Sequence, residues 1–448
     1  MQKTLLTLLG LLLASSLMSQ GILDQYIEEG IKNNISLKQA SLNFEASLES
    51  LNEAKGAMLP KIDFSSRYTK ANGGRNFEFP VGDLMNPVYS SLNGIIGEEQ
   101  FPQIENLSLN FNRTTDIDNK LTLTQPLFDK RITYQKNIAE DQAKISQVDV
   151  SIQKRLLISQ IKKAYFNYLK SVKLVELFDS TRSLVEENLR VSEVLYQNDK
   201  VTLDVTLRAQ TEIGKVNLQI AEAQKMKNNS KAYFNFLLNK PLESAIKTED
   251  ETDDPTLPAA LPESTKEREE FSKINLGLKA NESERRLYES NNLPNIYAIA
   301  NYGFQGSEYE FSNESDYTLA SLVLSWNLFS GFQNKARKQQ SIIKNQILQS
   351  QEEELSNSIQ LEAIQAFYDL KEKSQNYIST KKMIEEAKST YDLIKRKYEE
   401  GISSQLELID ARTNLTNATI QNIISKYDIR ISYAAYERVT ASYPLENL

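Results

Sequence analysis

The chain has 448 residues, a formal net charge of −8, and neither cysteine nor histidine. Those absences exclude disulfides, thiol nucleophiles, thiolate metal sites and the usual general base near neutral pH. The acidic balance leaves no basic patch for nucleic acid, so we expect no catalytic residue, no metal, no cofactor and no nucleic-acid partner. With 25% charged residues and a mean hydropathy of −0.47, the chain is too apolar for disorder, and the values suit a helical wall wetted on both faces.

Lys3 precedes an apolar run over residues 5–13 and a small-residue stretch over 14–19. This pattern predicts a secretory signal peptide over 1–20, because the run is short of the roughly 20 residues of a spanning helix. No later apolar run is long enough to span a bilayer as a helix. Any passage through a membrane must then be made by strands.

From Ile22 the spacing is helical, with Leu23, Ile27, Ile31 and Ile35 four apart. This helix ends before Leu59-Pro60, since Pro60 disfavours helical geometry in the residue before it. Ile62, Phe64 and Tyr68 then alternate with polar residues, which predicts a strand over 61–70. Residues 71–116 are rich in Asn, Gly and Pro and read as a long loop. A second strand is expected over 118–128, with Leu121, Leu123 and Leu127 on one face. A stretch free of Gly and Pro predicts a helix over 131–198, about 100 Å long at 1.5 Å per residue. A turn and a helix over 202–240 complete a first repeat, 21–240.

Residues 241–265 are acidic and punctuated by proline, as in a linker lying loosely on the surface. The second repeat, 266–441, opens with a helix stopped by Leu293-Pro294. Strands follow over 295–304 and 317–329, then a helix over 331–400, a bend at Gly401 and a helix over 402–441. A short tail covers 442–448. The repeat shows as a fixed offset: Tyr196, Ala209 and Thr211 match Tyr398, Ala411 and Thr413, each 202 positions on. Such an offset marks internal duplication. The helix lengths suggest that 202–240 stacks end to end with 266–292, and 402–441 with 22–58.

Four strands cannot close a membrane barrel, because the smallest have about eight. A dimer would give eight strands around a filled interior, and a trimer twelve around a channel. On periodicity alone, a four-stranded soluble sheet beside a helical bundle stands as the alternative.

The layout resembles the TolC family of outer-membrane efflux and secretion channels. The resemblance covers nearly the whole mature chain. It rests on two helix–strand–strand–helix–turn–helix repeats, on Leu59-Pro60 and Leu293-Pro294, and on the strand-to-helix junctions QPLFD (125–129) and NLFSGFQN (327–334). Tyr398-x-x-Gly401 followed by Leu406 and Asp410-Ala411 is similar to the family's turn motif. The resemblance implies a mainly α protomer with β-strands, and a homotrimer with a twelve-stranded barrel in the outer membrane and a long periplasmic helical barrel. It also implies passive conduction for a tripartite efflux pump or type I secretion system, through a periplasmic adaptor (membrane fusion protein) and an inner-membrane transporter. A periplasmic adaptor or scaffold with helical hairpins is the alternative.

By motif match the resemblance places Glu407 and Asp410 around the periplasmic aperture. They stand three apart, on one helix face. Ser404-x-x-Glu407 also fits a capping box, and Asp410 also fits a solvated face. Carboxylates crowded into rings are expected to have raised pKa values. Tyr398 matches a tyrosine that holds the tip closed, or packs between helices. Ser403 stands where the family expects an arginine, and Asp204 lies beside the family's acidic position in the first turn, which Val205 occupies.

Overall fold

The computed structural model describes residues 21–249, 257–261 and 268–445. The signal peptide expected over 1–20 lies outside them. The described helices are α1 Ile22–Asn33, α2 Ile35–Gly56, α3 Val81–Ile96, α4 Lys130–Gln197, α5 Leu203–Leu237, α6 Glu269–Ser290, α7 Gln333–Glu399 and α8 Gln405–Thr440. The strands are β1 Lys61–Lys70, β2 Asn76–Phe79, β3 Leu107–Asn110, β4 Thr115–Phe128, β5 Asn295–Gly306 and β6 Asp316–Ser325. The chain forms two units. Among the described residues, one holds those within 21–49, 140–281 and 343–445, and the other 50–139 and 282–342.

The first unit is helical. Its main core gathers Ile27, Leu157, Ile161, Tyr165, Phe234 and Leu238, none more than 1% exposed. Tyr26 meets Phe234 edge-on at 4.9 Å between ring centres. Burying aromatic rings contributes through both area and ring geometry. Gly30 permits a close approach here: a Cβ on it would come within 2.3 Å of Ile161 Cδ1, and that side chain would have to shift.

The opening helix, expected to run unbroken, divides at Asn34, which takes an extended backbone (ψ 128°). The Asn34 side chain explains the break. Its Oδ1 accepts from Leu37 N at 3.0 Å and so caps α2, while its Nδ2 donates to Leu237 O at 2.8 Å. Asn is a favoured N-cap because its oxygen satisfies a free amide of the first turn. Asn34→Ala is expected to lower unfolding stability by about 1–2 kcal/mol, from the lost cap and a buried carbonyl left without its donor. Denaturant unfolding of the purified protein measures this, and an unchanged midpoint would refute the capping role.

The end-to-end pairing expected from helix lengths is exchanged. Lys240 Nζ lies 2.6 Å from Glu29 Oε2, which joins the end of the 202–240 helix to α1 rather than to 266–292. In the first repeat, the opening and closing helices therefore meet each other. Sequence length set the total span but carried no information about the partner, which side chains select.

The first part of the linker is not loose. Tyr26 Oη accepts from Lys247 N at 2.8 Å, and Tyr165 Oη from Glu249 N at 3.2 Å. Ile246 packs on the core. Two core tyrosines thus give this acidic stretch partners that composition does not reveal.

The second unit holds an antiparallel sheet in the order β1-β4-β5-β6, so β1 and β6 are its edges. The register sorts side chains onto two faces, because alternate residues point to opposite sides of a strand. Ile62 pairs with Leu123 and Phe64 with Leu121, Leu121 with Tyr302, and Ile296 with Leu324. This face is apolar and open: Phe64 is 69% exposed and Leu324 62%. The other face pairs Asp63 with Thr122, and Thr122 with Asn301. There Asp118 accepts from Lys120 Nζ and from Tyr317 Oη, each at 2.9 Å. β6 ends at Ser325, short of the strand expected to 329, and Trp326 Nε1 instead donates to Asn292 O.

Residues 71–116, expected as loop, contain β2, α3 and β3. Phe77 pairs with Leu109 and Phe79 with Leu107. Three asparagines then clip the following loop to α3. Asn86 exchanges two bonds with the Ile104 backbone, Asn93 two with Phe101, and Asn106 two with Asp83. The Asn-rich composition that suggested a loop is what holds this segment together.

Candidate functional site

Both long hairpins of the helical unit end in the same turn. At the second, Ile402 N donates to Lys397 O at 2.8 Å and Gly401 N to Tyr398 O at 3.0 Å. At the first, Lys200 N donates to Leu195 O at 2.9 Å and Asp199 N to Tyr196 O at 3.0 Å. This is the Schellman closure, which needs a left-handed residue after the helix. Gly401 supplies it at φ 74° and Asp199 at φ 58°. Asp tolerates that region because its short polar side chain bonds locally, so the first turn forms without glycine.

The second turn leads into α8 through a complete capping box. Ser404 Oγ accepts from Glu407 N at 3.3 Å, and Glu407 Oε2 accepts from Ser404 N at 2.7 Å. Ser404 Oγ also donates to Glu407 Oε2 at 3.2 Å, and Ser403 Oγ adds a third donor at 2.7 Å. These bonds, Ser403 first, hold the Glu407 carboxyl below its ordinary range. Within the protomer, hydrogen bonds to the charged form set this direction.

Asp410 is exposed, as is Glu407, three residues along α8. Asp204 is exposed at the start of α5, bonded by Thr202 Oγ1 and 3.7 Å from Arg208 Nε. Tyr398 lines a cavity of about 350 Å³ with Tyr391 and Lys395 of α7, Val191 of α4, and Ile409 and Arg412 of α8. The geometry thus groups Ser403, Glu407 and Gly401 at the bend, places Tyr398 among packed helices behind it, and leaves Asp204 on the other hairpin.

Two contacts behind the turns have no motif. Arg412 is only 8% exposed, and its Nη2 lies 3.4 Å from Glu212 Oε2. Burial pushes the guanidinium pKa down, and Glu212 pulls it back. Gln405 Nε2 donates to Ser192 Oγ at 2.7 Å. Both contacts cross between repeats. The one available signal was Arg412 beside Ala411, within the stripe that α8 buries.

The model of the outer membrane efflux protein family matches residues 26–239 and 260–441. The chain belongs to this family. The outer membrane protein TolC of Escherichia coli (strain K12) is 22% identical over 460 residues, covering 96% of this chain and 85% of TolC. The CmeC outer membrane channel of Campylobacter jejuni superimposes with a TM-score of 0.77 at 16% identity, over 94% of this chain and 85% of that one. The open state of the MtrE outer membrane channel of Neisseria gonorrhoeae gives 0.70 at 16% identity, over 93% and 88%. The protein is thus a two-repeat, mainly helical outer-membrane efflux channel protein, and not an enzyme.

Proposed function

We propose that three copies close a twelve-stranded barrel and form a passive exit duct, fed by a periplasmic adaptor and an inner-membrane transporter. One observation carries this reading: an antiparallel sheet with an exposed apolar face and two unpaired edges. No described helix is long and apolar enough to cross a membrane. In lipid an open edge leaves backbone groups without partners, each costing several kcal/mol. β1 and β6 run in opposite directions, so β6 of one copy pairs antiparallel with β1 of the next. Two copies would leave a barrel filled by side chains, and three leave a channel.

The polar face, with Asp63, Thr122 and Asn301, then lines the lumen, and Phe64 and Leu324 meet lipid. Leu203 and Leu207 beside the first turn, and Ile402 and Leu406 beside the second, are all more than half exposed. They are the surface we assign to the adaptor. Glu407 and Asp410 ring the aperture, with Gly401, Ser403 and Tyr398 holding the bend.

The test is extraction from outer membranes in mild detergent, followed by light scattering. A particle of three chains is expected. A soluble periplasmic or inner-membrane monomer would overturn the reading and favour an adaptor. A deletion strain separates the two uses: sensitivity to toxic compounds marks efflux, and loss of an exported protein marks secretion.

A further inference from the structure

The segment between β1 and β4 is a built structure with an uncovered face. The face of α3 that carries Gly82, Asn86 and Asn93 is taken up by the clipped loop: a Cβ on Gly82 would lie 2.4 Å from Ile104 O. The opposite face carries Leu84, Val88, Leu92 and Ile95, at helical spacing. They are exposed, Leu84 by 67% and Ile95 by 83%. Four apolar side chains in line, on a helix pinned in place, mark a contact surface.

The same end of the sheet carries a second exposed apolar feature. The turn joining β5 to β6 is ordered by Ser315, whose Oγ donates to Glu310 O and whose carbonyl accepts from Gln305 N. It projects Tyr309 (64% exposed) and Phe311 (67%), with Phe311 braced edge-on against Phe304 at 5.1 Å. Register shows that the two features share an end: Lys70 pairs with Thr115, Ile117 with Gly306, and Phe304 with Asp316. Within one chain they spring from opposite edges of the sheet.

We propose that the α3 stripe of each copy seats on the β5–β6 turn of the next copy, as a clasp between protomers at the barrel mouth. The inference rests on the trimeric barrel argued above. Closing the barrel sets β1 of one copy beside β6 of its neighbour, and so sets the base of the α3 segment beside the neighbour's turn. Charge agrees with this seating. The turn exposes Glu308, Glu310 and Glu314, whereas the base of the α3 segment exposes Lys70, Arg75 and Arg113. Opposed charges of this kind fix register between partners.

The chain has no cysteine, so introduced pairs report without background. Ile95→Cys with Phe311→Cys, and Leu84→Cys with Tyr309→Cys, are treated with a short bismaleimide in purified trimers. The expected result is loss of the monomer band to covalent dimers and trimers on denaturing gels, with each single variant staying monomeric. Glu308→Lys with Glu310→Lys should reduce the linked fraction several-fold, and adding Arg75→Glu should restore it. Three chains by light scattering with no linking in either pair overturns the clasp and leaves the channel reading standing. Linking by Ile95→Cys alone overturns it too, because the stripes would then meet each other. So does labelling of Ile95→Cys on intact cells, by an impermeant maleimide, as fast as the exposed control Glu99→Cys. Absence of any trimer removes the clasp together with the channel reading.

Discussion

Glu212→Ala is expected to loosen the packing behind the turns by roughly 3–5 kcal/mol, the range for a buried ion pair that loses one partner. Arg412 is 8% exposed and its guanidinium faces Glu212 at 3.4 Å. Glu212 also accepts from Lys215 at 2.8 Å, so its carboxylate is held between two cations. Removing it leaves Lys215 free to turn into water, but leaves Arg412 buried without its carboxylate. The effect should be local. Amide hydrogen exchange should accelerate over 203–213 and 405–413, with proteolysis at the two bends. Glu212→Gln with Arg412→Met should recover most of the loss, because two neutral side chains of similar volume replace the pair. Asp204 provides the contrast. It meets Arg208 one turn on along the same helix, with both side chains about 60% exposed. Asp204→Ala should therefore change stability by no more than about 0.5 kcal/mol. Equal exchange in wild type and Glu212→Ala would show that the buried pair has no structural role.

What could be read from the sequence follows from how local each signal is. The long helices α4 and α7 lack Gly and Pro, and their ends carry turn residues within a few positions. The bend at Gly401 was visible because only a left-handed residue closes that turn, and glycine is the usual one. Asp199 makes the same bend at φ 58°, and its meaning came only from the 202-residue offset. The capping box was legible as Ser404-x-x-Glu407. Its effect on the Glu407 carboxyl was not, since the third donor, Ser403, depends on side-chain direction. α3 was hidden by Pro87 and by asparagines that normally punctuate loops. The spacing of Leu84, Val88, Leu92 and Ile95 was the overlooked sign. Arg412–Glu212 and Asn34–Leu237 join residues 200 or more apart, and no spacing rule reaches that far.

In planar bilayers, Asp410→Asn is expected to weaken cation preference, and Glu407→Ala with Asp410→Ala to abolish most of it. Rings of carboxylates attract cations and set selectivity in a pore. The two residues are not equivalent. Asp410 has no part in the capping box, so its neutral variant tests the pore alone. Glu407 also receives Ser403 Oγ and Ser404 N, so its loss frees the start of α8 as well. The pH dependence separates these influences. Hydrogen bonds lower the Glu407 pKa below its ordinary 4.5. A lowered pKa means that the cap is fully present above 4.5 and is lost as pH falls through the depressed value. In wild type, the part of the cation preference that Glu407 supplies should therefore persist below its ordinary 4.5 and be lost only as pH falls through the depressed value. Crowding of carboxylates in the trimer would act the other way and start the loss above 4.5. A profile that falls above 4.5 would show that repulsion between copies outweighs the Ser403 and Ser404 bonds. Selectivity unchanged in the double variant would remove both residues from the aperture.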